Sequence, residues 1–290
     1  MATTIEGATV VTRAWRSRHS ALRLADAATR GTLHRTGRAP GEVELLINAG
    51  LYRDHNLGEP ALAPLIQEDV GAHPEDPVPG EHGTFSLDVA NGGCGVLTAL
   101  QVADGFLSAG TIATAVVVAS DADPGHGLAP SFPFRPAGGA LLCRWTDGPR
   151  GLGSFRWQVC PDDGDAFRAT VAPLDGRNVL TVREDPAFAD RAGRGAAAVA
   201  EAVLADHGLA SWDLDLVVAS PARPAFTKAL SAGLGIPEDQ VVTAGPTLHT
   251  AAFVAALEVA ADTGRLGAAE VALFVCGGAG ITAGAALYRP

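Results

Sequence analysis

Hydrophobic and polar positions alternate along the chain with two different periods. Residues 17–37 carry apolar side chains at helical spacing, and residues 43–48 then form a short apolar run typical of a buried strand. The same pattern continues, with further helices predicted at 59–70 and 95–107 and further strands at 85–89, 114–120, 139–145 and 155–159. Apolar strands separated by helices indicate an α/β fold whose sheets are mostly parallel and are covered on both faces.

The second part of the chain repeats the order of the first. Residues 99–104 (ALQVAD) recur as 256–261 (ALEVAA), and each copy leads through a Gly-containing turn into an apolar strand. Between the two copies, residues 123–180 are rich in Gly, Pro and Asp, which favours turns over long regular elements. We therefore predict two similar halves, residues 1–150 and residues 151–290.

Composition narrows the class of protein. The chain has 290 residues, of which 47% are hydrophobic and 18% charged, so it can bury a substantial core. No stretch reaches the roughly 20 apolar residues of a membrane span, and the N-terminus lacks the features of a signal peptide, so we predict a cytoplasmic protein. The four cysteines are scattered without a CxxC pair, which predicts no disulfide framework, no metal site and no bound cofactor.

Charge is unevenly distributed. The net charge of −11 argues against a nucleic-acid binder, because such proteins neutralise phosphates with Lys and Arg. The first 40 residues nevertheless carry an excess of positive charge. Their seven arginines are Arg13, Arg16, Arg18, Arg23, Arg30, Arg35 and Arg38. This cluster is either a docking surface for an anionic partner or the ordinary solvated charge of a helix.

Three motifs resemble the ketoacyl synthase III branch of the thiolase superfamily, whose members join acyl thioesters by Claisen condensation. Residues 87–100 (LDVANGGCGVLTAL) resemble the segment that carries the family's nucleophilic cysteine, and residues 277–287 (GGAGITAGAAL) resemble its closing glycine loop. Residues 234–237 (LGIP) resemble the segment between two catalytic loops. The resemblance implies the thiolase fold, a duplicated five-layer α-β-α-β-α arrangement with two mostly parallel sheets and the nucleophile turn in the N-terminal half.

The resemblance also implies a reaction centre made of four parts. A cysteine at a strand-to-helix turn accepts the acyl group, because the N-terminus of a helix favours the thiolate. A His and an Asn from two later loops stabilise the enolate, and two backbone N–H groups form an oxyanion hole. In this sequence the closing glycine loop supplies the oxyanion-hole candidates, Gly278 and Gly280. The residues that would bind coenzyme A are not identified by any motif.

The nucleophile position does not fall on a cysteine. Counting five residues from Asp88 or two residues back from Gly95 reaches Gly93 in both cases, so Cys94 comes one residue late. One residue turns a helical side chain by about 100°, which predicts that the thiol of Cys94 points away from the substrate. Cys94 is therefore either a buried structural residue or, if the turn is rebuilt, a catalytic one.

The two other catalytic positions also carry different residues. An ungapped match places Ser220 where the family has its histidine and Thr247 where it has its asparagine. A shift of two residues brings His249 to the asparagine position, where an imidazole could still face the pocket. The alternative for His249 is a structural residue that bonds to the backbone at the start of a helix.

These substitutions leave three functions open. The first is a non-catalytic subunit of a heteromeric condensing enzyme in lipid or polyketide-type secondary metabolism, similar to the partner subunits of heterodimeric quinolone-forming and beta-lactone-lipid-forming synthases. Its partner would be a ketoacyl synthase III-like chain with an intact Cys, His and Asn. The second is an active acyltransferase, homodimeric or otherwise, that uses Cys94 and His249 with acyl carrier protein or acyl-coenzyme A as donor. The third is a small-molecule or acyl-chain binding protein without turnover.

Overall fold

A computed structural model describes residues 2–12, 20–73 and 83–290 of the chain. The strands are β1 (Ala2–Val11), β2 (Leu45–Asn48), β3 (Phe85–Asp88), β4 (Thr114–Asp121), β5 (Ala137–Thr146), β6 (Gly151–Val159), β7 (Phe167–Leu174), β8 (Arg177–Glu184), β9 (Leu216–Ser220), β10 (Val241–Val242), β11 (Ala272–Gly278) and β12 (Thr282–Arg289). The helices are α1 (Ala21–Thr36), α2 (Leu62–Val70), α3 (Gly95–Ser108), α4 (Phe188–Asp206), α5 (Pro224–Leu234), α6 (Ala252–Asp262) and α7 (Arg265–Ala268).

Two five-stranded sheets have the same topology. The first sheet has the order β1-β5-β4-β2-β3, and the second has the order β6-β12-β11-β9-β10. Position by position, each strand of the first sheet has a counterpart in the second with the same parallel or antiparallel neighbours. The repeat seen in the sequence is thus a repeat in space, while the boundary between residues 150 and 151 stays a prediction.

The sheets are mostly parallel, as expected, and in each of them one strand runs opposite to the other four. In the first sheet β2 is parallel to β3 and β4, whereas β5 is antiparallel to β4 and β1. The physical reason is the connection, since β5 follows β4 without an intervening helix and the chain returns in the opposite direction. The same direct connection joins β11 to β12 in the second sheet.

The helices and sheets form five layers. Helices α1 and α2 cover the outer face of the first sheet, α3 and α6 lie between the two sheets, and α4 and α5 cover the outer face of the second. Each interface has its own cluster of buried apolar side chains, and the central cluster draws on both sheets. Burial on both faces explains why β2, β4, β9 and β11 are continuous apolar runs in the sequence.

All of the helices and strands predicted from the periodicity are present, but α2 begins later than expected. The helix starts at Leu62 and not at residue 59. The amides of Leu62 and Ala63 donate hydrogen bonds of 2.9 and 2.8 Å to the carboxylate of Asp88 on β3. This carboxylate, which lies far away in the sequence, fixes the first turn of the helix.

A hairpin of β7 and β8 lies in the region that was expected to contain mainly turns. Seven of the eight residues of β7 are exposed, so the strand lacks the alternation that marks a half-buried strand. The signal that the pattern missed is the dipeptide Asp175-Gly176. Both residues have positive φ angles, 50° and 72°, as the tight turn of a two-residue hairpin requires.

The arginine-rich segment is only partly described, because Arg13, Arg16, Arg18 and the expected first residues of α1 lie outside the described ranges. Among the described arginines, Arg35 pairs with Glu258 and Asp262, and Arg38 pairs with Glu6 and Glu42. The guanidinium of Arg30 donates to the carbonyl of Asp69. These contacts tie α1 to other parts of the chain and favour a structural role for these three arginines over a docking surface.

None of the helices within the described ranges is long and apolar enough to cross a bilayer. The cytoplasmic location stays a prediction.

Candidate functional site

Asp88 holds the segment that precedes the predicted nucleophile turn. Its carboxylate accepts hydrogen bonds from the first amides of α2, from the Asn48 side chain at 3.2 Å and from the Arg53 guanidinium at 2.5 Å. Burial alone would raise the pKa of Asp88, but these amides and the guanidinium lower the pKa below its ordinary value. The end of β3 is therefore fixed by an ionised carboxylate with several donors.

The turn after β3 ends in a short 3-10 segment, Gly92–Cys94, that runs directly into α3. Cys94 is fully buried, and its Sγ donates to the carbonyl of Thr282 at 3.5 Å. A Cβ atom placed on Gly278 would come within 3.0 Å of this sulfur. The thiol thus packs between α3 and the closing glycine loop.

A small cavity lies beside this turn. Its described lining residues come from both halves and include the ends of β9 and β11. They are Gly93, Phe134, Phe167, Glu184, Phe188, Ser220, Pro221, Arg223, Leu248, His249, Gly277, Gly278 and Ala279. The centres of water-sized molecules can occupy about 30 Å³ of it, which corresponds to about two or three water molecules. Among these described lining residues there is no thiol.

Gly93, not Cys94, borders the cavity. A Cβ atom built on Gly93 would lie 3.1 Å from the carbonyl oxygen of Gly277, on the cavity wall. This placement agrees with the counting from Asp88 and Gly95 in the sequence.

The other predicted positions divide between the cavity and the surface. Ser220 is the last residue of β9, is 2% exposed, and its hydroxyl has no hydrogen-bond partner among the described residues. His249 also lines the cavity. Thr247, in contrast, is exposed, and its carbonyl accepts a bond of 2.8 Å from the amide of Arg135. The ungapped match to Thr247 is therefore corrected, because the turn that begins at Gly245 carries the chain two residues further before it reaches the cavity.

A buried carboxylate stands behind His249. Asp121, the last residue of β4, accepts bonds from the amide of Tyr52 at 2.9 Å, the amide of Thr250 at 2.8 Å and the hydroxyl of Thr250 at 2.6 Å. Its Oδ2 is 3.4 Å from Nδ1 of His249, although the two are not aligned as a hydrogen bond. Burial opposes ionisation of Asp121, but His249, Thr250 and Tyr52 together lower its pKa.

Three aromatic rings enclose the imidazole of His249. The ring centroids of Phe134, Tyr52 and Phe167 lie 4.5, 5.0 and 6.3 Å from it. Its Cε1 and Nε2 atoms would both lie 3.8 Å from a Cβ atom on Gly92, so this edge of the ring faces the nucleophile turn. Nδ1 toward Asp121 and Nε2 toward the turn give the imidazole a defined orientation.

The two oxyanion-hole candidates are not equivalent. Gly278 lines the cavity, whereas Gly280 is not among the residues that border it. Gly280 has a φ of 73° and lies within the turn Ala279–Ile281 that joins β11 to β12. A left-handed backbone at this position is a sufficient reason for its glycine.

Other residues near the cavity were not predicted as site residues from the sequence. They are Asp121, Tyr52 and the ion pair of Glu184 with Arg223, whose charged atoms lie 3.1 Å apart. A signal for Asp121 was present, since it is the polar residue that ends the apolar run of β4. Ends of parallel strands are the usual place for site residues in α/β sheets. Glu184 could not be found in this way, because it ends a strand of the hairpin that the pattern did not predict.

The duplicated five-layer fold, with a cavity at the turn between β3 and α3, defines the class as the thiolase fold. Among solved structures, 3-oxoacyl-[acyl-carrier-protein] synthase III from Aquifex aeolicus matches with a TM-score of 0.81 and 20% identity, covering 99% of this chain and 100% of that one. The priming beta-ketosynthase of the R1128 polyketide biosynthetic pathway matches with a TM-score of 0.79 and 20% identity, covering 99% and 96%.

Sequence comparison narrows the class further. The family model for the C-terminal part of 3-oxoacyl-[acyl-carrier-protein (ACP)] synthase III matches residues 204–290. The beta-ketoacyl-[acyl-carrier-protein] synthase III of Sphingopyxis alaskensis is 29% identical over 284 residues, covering 91% of this chain and 82% of the relative. The chain thus has the thiolase fold and is similar to ketoacyl synthase III proteins over most of its length.

Proposed function

We propose that the chain is the non-catalytic subunit of a heteromeric condensing enzyme that acts on acyl thioesters in lipid or polyketide-type secondary metabolism. In this role it pairs with a second ketoacyl synthase III-like chain that carries the reactive Cys, His and Asn. It stabilises that chain and shapes its acyl pocket without condensing acyl groups itself. An acyl carrier protein or acyl-coenzyme A delivers the thioester to the assembly.

The observation that carries this proposal is the glycine at the nucleophile turn. Condensation needs a group at this point that can hold an acyl chain covalently, and Gly93 has no side chain. The cavity beside it holds only about two or three water molecules, which is too little for a long acyl chain and its acceptor.

An open sheet edge next to the turn supports a partner. Strand β3 is the edge strand of the first sheet. The amides of Phe85 and Val89 donate to the carbonyls of Glu44 and Asn48, on the side of β2. Because successive amides of a strand point to opposite sides, the amide of Ser86 points away from β2, toward the open edge. Phe85 is 57% exposed at this edge. Among the described residues no strand pairs with the outer side of β3, and such an edge with an exposed aromatic side chain is suited to pairing with another chain.

The alternative of an active acyltransferase built on Cys94 and His249 has weaker support. His249 lines the cavity, but Cys94 is fully buried and its sulfur contacts the carbonyl of Thr282. Acyl transfer to this thiol would require the turn Gly92–Cys94 to rearrange. A binding protein without turnover is supported by the cavity alone.

Co-purification tests the proposal. The full chain is expressed together with an affinity-tagged ketoacyl synthase III-like chain that has an intact Cys, His and Asn. We expect a stable complex in which condensation depends on the tagged chain's cysteine. A homodimer of this chain that does not bind such a partner would contradict the proposal.

A variant at the sheet edge gives the matched control. Ser86→Pro removes the outward amide, and we expect it to reduce capture by roughly tenfold or more, because it blocks strand pairing. Ser86→Ala keeps the amide and should be captured like the natural chain. Equal capture of all three would show that β3 is not the contact.

A further inference from the structure

Ser220 has the features of a nucleophile that is not used by any structural contact. It lies at the carboxyl end of β9 and lines the same cavity as His249. Its hydroxyl is buried, yet it neither donates to nor accepts from another group. Buried hydroxyl groups are nearly always hydrogen-bonded, so an unpaired one beside a cavity points to a group that enters from the cavity.

His249 and Asp121 have the relation of a base and the residue that orients it. The Oδ2 atom of Asp121 lies 3.4 Å from Nδ1 of His249, and Asp121 is itself held by Tyr52 and Thr250. Nδ1 is the ring nitrogen nearer this carboxylate, so Nε2 is the nitrogen left to accept a proton. The Nε2 edge faces Gly92 at the nucleophile turn.

From this arrangement we infer that Ser220, His249 and Asp121 form a serine acyl-transfer centre that hydrolyses short acyl thioesters. Ser220 and His249 are its catalytic residues, and Asp121 is a positioning residue. The two residues border the same cavity, and the hydrogen bond between a nucleophile and its base often tightens only once the substrate is bound. The inference goes beyond the proposed function, because hydrolysis at Ser220 needs neither condensation nor a partner chain.

The cavity sets the class of substrate. Space for about two or three water molecules accommodates an acyl group of about two to four carbon atoms. The lining is aromatic on the side of Phe134, Phe167 and Phe188, which suits an uncharged acyl group. The narrow space therefore favours an acetyl thioester over a long-chain one.

The reaction balances with water as the only co-reactant. The Oγ atom of Ser220 attacks the thioester carbonyl, and its proton passes to Nε2 of His249. The carbon–sulfur bond then breaks, the thiolate takes the proton from His249, and an ester remains on Ser220. Water attacks this ester with the help of His249, which releases the carboxylic acid and restores the hydroxyl group. Gly93, among the first residues of a helical turn, has an amide suited to the oxyanion.

Acylation by the S-acetyl ester of N-acetylcysteamine tests the inference on the full chain. We expect intact-mass spectrometry after a rapid quench to show one added acetyl group, mapped by peptide analysis to Ser220. Steady hydrolysis should fall by roughly 100-fold or more in Ser220→Ala and in His249→Gln. Loss of the Ser220 hydroxyl leaves no other group unpaired, so Ser220→Ala is expected to fold.

Matched variants separate this centre from the alternatives. Ser231→Ala alters another buried serine, whose hydroxyl donates to the carbonyl of Lys228, and should hydrolyse at the natural rate. Cys94→Ala should also keep the rate. An acetyl group on Cys94, or no adduct and no hydrolysis in the natural chain, would overturn the inference.

Two further readouts complete the test. Asp121→Asn should lower kcat by roughly tenfold or more while KM stays unchanged, which a purely structural defect would not do. Ser220→Ala should still bind the partner chain, so the failure of this inference and the failure of the proposed function can be told apart. Equal hydrolysis of acetyl and long-chain thioesters would contradict the assignment of substrate to this cavity.

Discussion

Two buried carboxylates, one behind His249 at the cavity and one in the outer helical layer, have opposite surroundings. Asp121 is 1% exposed and accepts bonds from backbone amides and a hydroxyl, so its pKa is lowered despite burial. Asp26 on α1 is 5% exposed, and its Oδ1 has no partner. Burial, and then the neighbouring Asp69, raise the pKa of Asp26 to about 7. Donors, not depth, decide whether a buried carboxylate stays ionised.

Hydrogen-bond donors stabilise the charge of Asp121, whereas Asp26 is buried without such donors. Maintaining ionised Asp121 requires several donors from two loops, which have to meet at the end of β4. Such an arrangement is typical of a functional site or of a structural anchor. Asp26 has no comparable set of donors, so its charge destabilises the folded chain at neutral pH. Four substitutions test this difference.

The largest effect is expected for Asp121→Ala. The amides of Tyr52 and Thr250 and the Thr250 hydroxyl would be left buried without an acceptor, which should lower the free energy of unfolding by about 4 kcal/mol. Urea denaturation followed by circular dichroism measures the loss. Asp215→Ala is the control, because Asp215 also accepts two amide bonds but is exposed, and it should lose about 1 kcal/mol. Equal losses would mean that burial of the donors is unimportant.

Asp88→Ala should follow with a loss of about 3 kcal/mol. Asp88 accepts bonds from four groups, but its side chain is 21% exposed, so water can reach some of the abandoned donors. The loss should be concentrated in α2, whose first amides it holds. Hydrogen exchange of the amides of α2 measures this, and protection of α5 in the same sample serves as the internal reference. Uniform loss of protection would contradict a local role.

The buried strands and the central helices could be predicted because their apolar runs can be recognised without knowing which elements pack against them. Strand β4 and helix α3 are examples, since burial on both faces imposes the pattern on the sequence itself. The hairpin β7–β8 was not found because its strands are largely exposed. Its turn residues were the only local signal.

The position of a site residue could be predicted only where it lies a fixed number of residues from a regular strand or helix. Gly93 lies five residues from the end of one regular strand and two from the start of a regular helix, so its position could be counted. His249 follows an irregular loop, and loop length is not fixed by hydrophobic pattern. Asp26 and Asp121 both follow small residues in the sequence and could not be distinguished, because the neighbours that set their pKa values lie far along the chain.

Asp26→Asn should increase stability, in contrast to the changes at Asp121 and Asp88. The pKa of Asp26 is raised in the folded protein. The stability that protonated Asp26 provides is therefore fully present below its unfolded pKa of about 3.8 and is lost as the pH rises through its folded pKa of about 7. We expect the free energy of unfolding of the variant to rise by about 2 kcal/mol at pH 8 and by almost nothing at pH 4. The gain at pH 8 is below the full effect because water around the exposed Asp69 screens part of the repulsion. Urea melts at both pH values measure the difference.

Asp69→Asn is the companion to that test. It removes the neighbouring charge that helps to raise the pKa of Asp26, but leaves the burial of Asp26 unchanged. Its gain at pH 8 should therefore be smaller than that of Asp26→Asn. A larger gain would show that repulsion from Asp69, and not burial, dominates at Asp26.

The smallest expected effect, Thr250→Val, removes a single donor from Asp121. The hydroxyl bond of 2.6 Å is lost while the amide bond of Thr250 remains, and the side chain keeps its shape, so the loss at pH 7 should be about 1 kcal/mol. Because the pKa of Asp121 is lowered in the folded protein, the stability it provides is present above the unfolded value and is lost as the pH falls through the folded value. With one donor fewer, the folded value rises, so acid unfolding of the variant should begin at a higher pH. Thr227→Val, which removes a bond to the carbonyl of Arg223 and touches no carboxylate, should lower stability without moving this acid transition. A variant at residue 250 that loses stability equally at all pH values would mean that the hydroxyl acts through packing and not through the charge of Asp121.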